Sequence, residues 1–393
     1  MKERLIEALK QIDAAKLASD MIKIPSYSFM EKQEKEIAEY IYSVFQQEGI
    51  ESQLVEIKPG RYNVYGRIAG SGKGRSLMLS GHIDTVPAYD MEDAFSGRIA
   101  DGKVYGRGAC DMKGPVAAMM AALIAFHRAE IALPGDIVFA GLADEEEQGR
   151  GVEYLVSNGP VCDGTIMGEP TDMKIAIGHK GLEWIDVKVK GHKVHGGDKE
   201  HGINAIEMAA RFINRIYEEY VPLLNTRAYP VLGAPTINIG RIEGGDQPST
   251  VAGECLVKLD RRCVPTETIA QVYEELNQIC DRLHQEDPRF QAEVRDVFAG
   301  ENLLPHVPFC IEQDDPLVTS VQSAMEQTRW NGEVTAFPAW SDAGAISSVT
   351  DSKCIVMGPG DLSVAHSIHE YIKVEDIETA ALVYGLTAID YCR

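Results

Sequence analysis

The sequence is poor in cysteine pairs and in positive charge, and each shortage excludes a class of protein. Its 8 cysteines in 393 residues include no Cys-x-x-Cys pair, and a chain of this length does not depend on disulfide staples. Lysine and arginine number 38 against 60 acidic residues, which gives a net charge of -22. Such a charge repels phosphate backbones and anionic lipid surfaces. We therefore expect no nucleic-acid or membrane partner.

Long apolar runs are also missing. No apolar stretch approaches the roughly 18 to 20 uncharged residues of a membrane span, and residues 1–10 contain no apolar signal core. These absences predict a cytoplasmic protein whose cysteines are mostly buried free thiols. What is present is an ordinary globular composition, with 45% apolar and 25% charged residues, so neither a disordered chain nor a coiled coil fits.

Short apolar runs, each followed by glycine or acidic residues, predict the strands of a first domain. They lie at 77–79, 137–140, 165–167 and 355–357. An alanine- and methionine-rich segment from Gly114 to Ala129 lies between the first two runs and predicts a helix. The order of strand, helix and strand predicts an α/β fold with a doubly wound sheet.

A different pattern begins near Gly181. Ile185, Val187 and Val189 alternate with charged residues, as in a half-exposed strand. Predicted helices at 204–219 and 267–285, with strands at 236–242, 254–260 and 291–298, complete a βαββαβ order, which is that of a ferredoxin-like α+β unit. We therefore predict that this unit, 181–298, is inserted into a larger domain made of 1–180 and 299–393.

Histidine and carboxylate side chains follow the predicted strands of the larger domain. Ligands collect at the carboxyl ends of strands in open α/β sheets, so we expect these side chains to converge. Two imidazoles with several carboxylates suit zinc and are adequate for cobalt or manganese. The residues are His82, Asp84, Asp111, Glu145, Glu146, Glu169 and His366.

Six motifs in this order resemble the family of dinuclear zinc amidohydrolases that contains acetylornithine deacetylase, succinyl-diaminopimelate desuccinylase, aminoacylase and carboxypeptidase G. One motif alone is weakly specific, but the set spans nearly the whole chain. The motifs are SGHIDTVP at 80–87, GRGACDMKG at 106–114, DEE at 144–146, GEP at 168–170, SDAG at 341–344 and HSIHE at 366–370.

The resemblance implies two Zn²⁺ ions per chain, with Co²⁺ or Mn²⁺ as possible substitutes. A metal pair acidifies water and polarises an amide carbonyl, which hydrolysis of an unactivated amide requires. The implied ligands are His82 and Glu169 for one ion, Glu146 and His366 for the other, and Asp111 as the bridge between them.

Further features of the larger domain follow from the same resemblance. Glu145 would take the proton of the attacking water and deliver it to the leaving amine. Asp84 would orient His82 by accepting its other N–H. The peptide bond between Asp111 and Met112 is expected to be cis. Glu147 is interpreted as solvated, and His369 is left out of the ligand set.

In the inserted domain the resemblance implies contacts with substrate. His195 would donate a hydrogen bond to the scissile carbonyl, and Arg262 would bind a substrate carboxylate, a task that suits its planar pair of donors. Ser249 stands where the family usually has asparagine, so the family's substrate preference cannot be carried over. Family members commonly pair through this domain, which predicts a homodimer in which His195 enters the partner's site.

The predicted function is metal-dependent hydrolysis of the amide bond of N-acyl amino acids, of the deacetylase or desuccinylase type. A dipeptidase or carboxypeptidase of the same family is the alternative enzyme, with a short peptide as substrate. An aminopeptidase on a related core is opposed by the inserted domain and His195. A catalytically inactive metal-binding protein would need the loss of a ligand or of the base, and none is lost. The acyl group and the amino acid stay open.

Overall fold

The computed structural model describes residues 1–30, 32–298 and 304–393, and the chain forms two compact units. The first unit comprises Met1–Gly178, Cys310–Phe337 and Ser341–Arg393, and the second comprises His179–Phe309 and Pro338–Trp340. The second unit therefore runs further along the chain than the predicted 181–298, and it takes in a short segment from near residue 340.

Within these residues the strands are β1 (Glu51–Lys58), β2 (Arg61–Ile68), β3 (Leu77–His82), β4 (Arg98–Ala100), β5 (Lys103–Tyr105), β6 (Ile137–Leu142), β7 (Gly164–Met167), β8 (Ile175–His179), β9 (Glu183–Lys190), β10 (Thr236–Gly244), β11 (Glu254–Arg262), β12 (Gln291–Asp296), β13 (Phe309–Cys310), β14 (Val334–Phe337), β15 (Lys353–Val356) and β16 (Tyr371–Lys373). The α-helices are α1 (Lys2–Leu9), α2 (Ala14–Ile22), α3 (Lys35–Glu48), α4 (Gly114–Arg128), α5 (Arg150–Asn158), α6 (Ala205–Arg215), α7 (Val221–Asn225), α8 (Ile269–Glu286), α9 (Pro316–Met325), α10 (Asp342–Val349) and α11 (Val374–Tyr391).

A large mixed sheet forms the centre of the first unit, in the order β1-β2-β6-β3-β7-β15-β8-β13, with β14 also paired to β8. The four predicted buried strands are confirmed as β3, β6, β7 and β15. They lie side by side and run parallel, whereas β2 and β8 flank them in the antiparallel sense. The parallel core brings the carboxyl ends of four strands to one edge, as the sequence pattern predicts.

Two groups of helices cover this sheet. The predicted helix Gly114 to Ala129 is confirmed as α4, which is buried along nearly its whole length and packs against α11, α1 and α2. A second group contains α5 and α10, which pack on each other, with α10 against β7 and β15. This coverage gives a mixed α/β architecture with a largely parallel sheet.

One helical stretch, Ala109–Arg128, is long and apolar enough to cross a membrane by length and composition. It contains the charged residues Asp111, Lys113 and Arg128, so it is not a run of roughly 18 to 20 uncharged apolar residues, which the sequence analysis finds missing. Its apolar window lies wholly inside the protein, and an apolar character on every side is typical of a helix surrounded by other elements.

The second unit contains an antiparallel sheet in the order β10-β11-β9-β12. The predicted alternation is confirmed in β9, where Ile185, Val187 and Val189 are buried between more exposed neighbours. The helix predicted over 204–219 ends as an α-helix at Arg215, and a π-helical turn, Ile216–Tyr220, leads into α7. Pro222 lies in the first turn of α7, and its missing N–H prevents an uninterrupted hydrogen-bond ladder.

Candidate active site

His82 ends β3 and is buried at the carboxyl edge of the sheet. Gly81 before it lets Met112 pack closely, because a Cβ there would lie 2.3 Å from Cε of Met112 and would displace that side chain. The His82 Nδ1 atom lies 3.1 Å from the main-chain oxygen of Asp84 and 3.5 Å from the Asp84 carboxylate. Both acceptors favour a proton on Nδ1, which leaves Nε2 free to bind a cation.

Asp111 lies on a π-helical turn, Ala109–Lys113, that leads into α4, and the Asp111–Met112 peptide is cis, as predicted. The buried Glu370 carboxylate accepts hydrogen bonds from the backbone N–H groups of Cys110 and Asp111, at 3.0 and 3.1 Å. Arg107 pairs with the other oxygen of Glu370. Sequence reasoning gave Glu370 and Arg107 no role, although both lie within the motifs it singled out.

Asp111 contacts both predicted histidines. Its Oδ1 atom lies 3.0 Å from Nε2 of His82, and its Oδ2 atom lies 3.2 Å from Nε2 of His366. The same His366 nitrogen lies 3.0 Å from Oε1 of Glu146. His82, Asp111 and Glu146 together form a cluster whose nitrogen and oxygen atoms lie within 4.8 Å of one another. A carboxylate with one oxygen toward each histidine has the arrangement that a bridging ligand needs.

Glu169, which follows β7, completes the group. Its Oε2 atom lies 3.8 Å from Nε2 of His82. Its Oε1 atom is buried and has no hydrogen-bond partner among the described residues. A buried carboxylate oxygen without a donor is unfavourable unless a cation neutralises it. The orphaned oxygen and the mixture of imidazole and carboxylate donors therefore fit a divalent metal such as zinc.

The electrostatics of the cluster favour positive charge. Hydrogen bonds with Asp111 and Glu146 raise the pKa of His366 to about 10. Burial opposes a charge on His82, yet the carboxylates of Glu169, Asp111 and Asp84 raise its pKa well above the ordinary value. Burial would raise the pKa of Asp111, but hydrogen bonds from His366 and His82 hold it below its usual range.

Glu145 and Glu146 lie in the acidic loop, residues 143–149, which follows β6. Their backbone N–H groups donate to the two carboxylate oxygens of Asp84, at 3.2 and 3.1 Å. Asp84 therefore touches both His82 and the acidic loop, whereas the sequence predicted only the first contact. Burial, aided by the Glu169, Asp342 and Glu146 carboxylates and opposed by His82, raises the pKa of Glu145 well above its ordinary value.

Glu147 is exposed, as the sequence predicts. Its Oε2 atom lies 3.3 Å from Nη2 of Arg61, and the same guanidinium lies 2.6 Å from Oδ1 of the buried Asp144. His369 is exposed, and its backbone N–H donates to the Ser367 hydroxyl.

In the second unit, His195 is exposed, and its Nδ1 atom accepts a hydrogen bond from the N–H of Gly197 at 3.1 Å. This bond assigns the ring proton of a neutral His195 to Nε2, which is then a donor. The N–H of Gly196 donates to the main-chain oxygen of Ser249 at 2.7 Å. The structure therefore brings the His195 and Ser249 segments together.

Arg262 ends β11. Its Nε and Nη2 atoms bind the Asp260 carboxylate at 2.7 and 3.0 Å, so an acidic side chain already fixes the plane of the guanidinium. The side chain is 27% exposed, which keeps part of the group accessible to a ligand.

The cysteines are free and almost all buried, as predicted; Cys310 is partly exposed. Cys110, next to Asp111, is fully buried, and burial raises the pKa of its thiol well above the ordinary value. A buried, protonated thiol is unreactive, so Cys110 has a packing role.

Comparison with known proteins identifies the family of the chain. The family model described as peptidase family M20/M25/M40 matches residues 78–390. A probable succinyl-diaminopimelate desuccinylase from Staphylococcus epidermidis is 28% identical over 402 residues, which cover 93% of this chain and 94% of the relative. An acetylornithine deacetylase from Myxococcus xanthus is 30% identical over 340 residues, which cover 82% of each chain.

Among solved structures, the YXEP protein of Bacillus subtilis, described as a dinuclear metal binding peptidase from the M20 family, has the same fold. Its TM-score to this chain is 0.71 at 16% identity, and the match covers 98% of both chains. The family model spans all the predicted metal ligands, from His82 to His366. The chain is therefore a hydrolase that belongs to peptidase family M20/M25/M40.

Proposed function

We propose that the protein is a dinuclear zinc amidohydrolase that releases an amino acid from its N-acyl derivative. The observation that carries the proposal is the continuous line of contacts from His82 through Asp111 and His366 to Glu146. His82 and Glu169 would hold one ion, His366 and Glu146 the other, and Asp111 would bridge them. Bound zinc would lower the pKa of water and polarise the amide carbonyl.

Glu145 then acts as the general base. Its carboxylate accepts a proton from the attacking water while the new C–O bond forms at the amide carbon. The C–N bond then breaks, and Glu145 returns the proton to the leaving nitrogen, so the products are a carboxylic acid and an amine, which become a carboxylate and an ammonium by proton transfer. Burial raises the pKa of Glu145, which makes its carboxylate a stronger proton acceptor.

The substrate is a small molecule with a free carboxylate, which Arg262 would bind, while Ser249 would contact it more weakly than a longer asparagine. The names of the two curated relatives support an N-acyl amino acid. The peptidase description of the Bacillus subtilis structure keeps a dipeptide or carboxypeptidase substrate as the alternative. A small-molecule substrate and the acidic composition support a cytoplasmic location.

A substrate panel tests this function. The purified protein, loaded with Zn²⁺, is incubated with N-acetylornithine, N-succinyl-diaminopimelate, N-acetylated neutral amino acids and dipeptides, and released amine is measured. We expect hydrolysis of at least one N-acyl amino acid at a higher kcat/KM than of any dipeptide. Preference for a dipeptide would favour the peptidase alternative, and no release from any compound by zinc-loaded protein would favour a binding protein.

We further infer that the second unit is a ferredoxin-like domain that forms a homodimer. Its sheet order β10-β11-β9-β12 and its βαββαβ succession of elements support this inference. The exposed edge strand β10 and helix α6 offer surfaces for a two-fold contact. In such a dimer the Nε2–H of His195 would donate to the substrate carbonyl in the partner's site.

Mixed dimers test the role of His195. Chains that carry Glu145→Ala or His195→Ala should each be nearly inactive alone. Co-expression makes about half of the dimers mixed, and each mixed dimer has one intact site of two, so activity should recover to roughly a quarter of wild type. Tandem affinity tags verify that mixed dimers form. If verified mixed dimers stay inactive, or if the protein is a monomer, His195 does not act across a dimer.

A further inference from the structure

The geometry points to Arg61 and Asn63 on β2 as positioning residues that hold the acidic loop, and with it Glu145 and Glu146, in place for the reaction. The inference rests on the proposed function, since it takes Glu145 as the base and Glu146 as a ligand. Neither β2 residue belongs to a motif of the sequence, and neither is among the predicted ligands.

The sheet order makes such support possible. Strand β6, which leads into the acidic loop, lies between β2 and β3. In the antiparallel β2–β6 pair, Val64 lies opposite Gly141, so the beginning of β2 lies beside the residues where the acidic loop begins. Alternate residues of a strand share a face, which puts Arg61 and Asn63 on the same side of β2.

Asn63 fixes the two ends of the loop. Its side-chain oxygen accepts a hydrogen bond from the N–H of Ala143 at 3.1 Å, and its side-chain nitrogen donates to the main-chain oxygen of Gly151 at 2.9 Å. The N–H of Gly151 also donates to the oxygen of Ala143 at 2.9 Å. Both ends of the loop are thus tied to one fully buried amide.

Arg61 fixes the middle of the loop. One nitrogen, Nη1, forms an ion pair with Asp144, at 2.6 Å from its Oδ1 atom, and donates a hydrogen bond to Glu34 at 2.7 Å, whereas the other, Nη2, lies 3.3 Å from Glu147. Asp144 and Glu147 flank Glu145 and Glu146 in the sequence, so one guanidinium holds the residues on either side of the proposed catalytic pair. The side chain of Arg61 is only 11% exposed, and water screens such buried pairs little.

The loop is also held from a second side. It begins with a left-handed backbone conformation at Asp144, whose φ is 71°, a conformation found mainly at glycine, asparagine and aspartate. On the far side of the loop, Asp84 accepts the N–H groups of Glu145 and Glu146. Arg61 and Asn63 therefore hold the loop from β2, while Asp84 holds it from the end of β3.

Arg61→Met keeps the length of the side chain and removes the guanidinium. We expect kcat to fall by roughly 10- to 100-fold, the usual effect of losing a residue that orients a metal site, with KM for the substrate changed far less. Hydrogen–deuterium exchange of the peptide that covers residues 143–151 should become faster. Arg61→Lys keeps one point charge without the planar fork, so we expect it to restore part of kcat and part of the protection.

Arg67→Met is the matched control. Arg67 lies on the same strand and pairs with Asp136 and Glu51, away from the acidic loop, so its loss should leave kcat and the exchange of residues 143–151 unchanged. If Arg61→Met does not fold, the variant Glu147→Gln tests the inference in its place. It removes one partly exposed contact of Arg61, and we expect about a 3- to 5-fold lower kcat with a normal melting temperature.

The inference is overturned if folded Arg61→Met keeps the kcat of wild type and its rate of hydrogen–deuterium exchange. It is also overturned if Arg67→Met lowers kcat as much as Arg61→Met does. When Arg61→Met does not fold, an unchanged kcat in Glu147→Gln overturns it. The exchange measurement needs no substrate, so a wild-type protein without amidohydrolase activity would count against the proposed function and leave the support of the loop separately testable.

Discussion

Replacing Glu145 by glutamine is expected to lower kcat by roughly 10²- to 10⁴-fold, the range that a general acid–base group contributes. The amide cannot accept the proton of water, but it preserves the shape of the side chain. Its backbone N–H still reaches Asp84, so the loop should keep its conformation. Metal content, measured by atomic emission on the purified variant, should stay near two ions per chain.

The neighbouring substitution separates the two glutamates. Glu146→Gln removes a charged oxygen that lies 3.0 Å from His366, and we expect it to lose both activity and about half of the bound metal. Glu153→Gln on α5 is the matched control, because Glu153 pairs with Arg150 and has no place in the proposed chemistry. Loss of metal in both Glu145→Gln and Glu146→Gln would mean that base and ligand are wrongly assigned.

Removal of metal should abolish hydrolysis, and Zn²⁺ or Co²⁺ should restore it. Without metal, the predicted carboxylate ligands would lie close to two histidines with no cation between them. The buried Glu169 Oε1 atom has no hydrogen-bond partner among the described residues. Since a ligand present at 1,000 times its Kd stabilises the native state by about 4 kcal/mol, the metal-free protein should also melt at a lower temperature. Dialysis against a chelator, followed by activity and melting measurements, checks both effects.

Adding Mg²⁺ instead of Zn²⁺ or Co²⁺ to the metal-free protein serves as the control. Magnesium prefers oxygen ligands in a strict octahedron, so it should restore little activity at a site that contains two imidazoles. Full turnover by protein that contains no metal would refute the proposed function.

Much of the fold follows from local patterns. The parallel core strands are short and apolar, and α4 is apolar on every side, so both are recognisable without knowledge of their neighbours. The convergence of His82, Glu146 and Glu169 follows from one rule about the carboxyl ends of parallel strands. These predictions succeeded because each depends on a few consecutive residues.

The parts that were missed depend on residues far apart in the chain. Strand β2 begins with Arg61, Tyr62 and Asn63, and two polar residues on its inward face hide the alternation that marks a strand. Their partners in the acidic loop lie about 80 residues further along, and Glu370 meets Asp111 across 259 positions. The sequence alone does not indicate which residue a buried polar side chain will bind, because the two come together only in the folded chain.

The order in which the strands of the first unit occur has a consequence for synthesis on the ribosome. The gap between β7 and β8 is filled by β15, whose residues are translated after the whole stretch His179–Phe309 has emerged. A nascent chain can therefore assemble the four strands of the second unit while the first unit still has an open sheet edge. Unpaired strand edges promote aggregation. A truncated transcript or a proteolytic cut that removes the chain from Lys353 onward should therefore yield an aggregation-prone fragment without His366, and not a smaller enzyme.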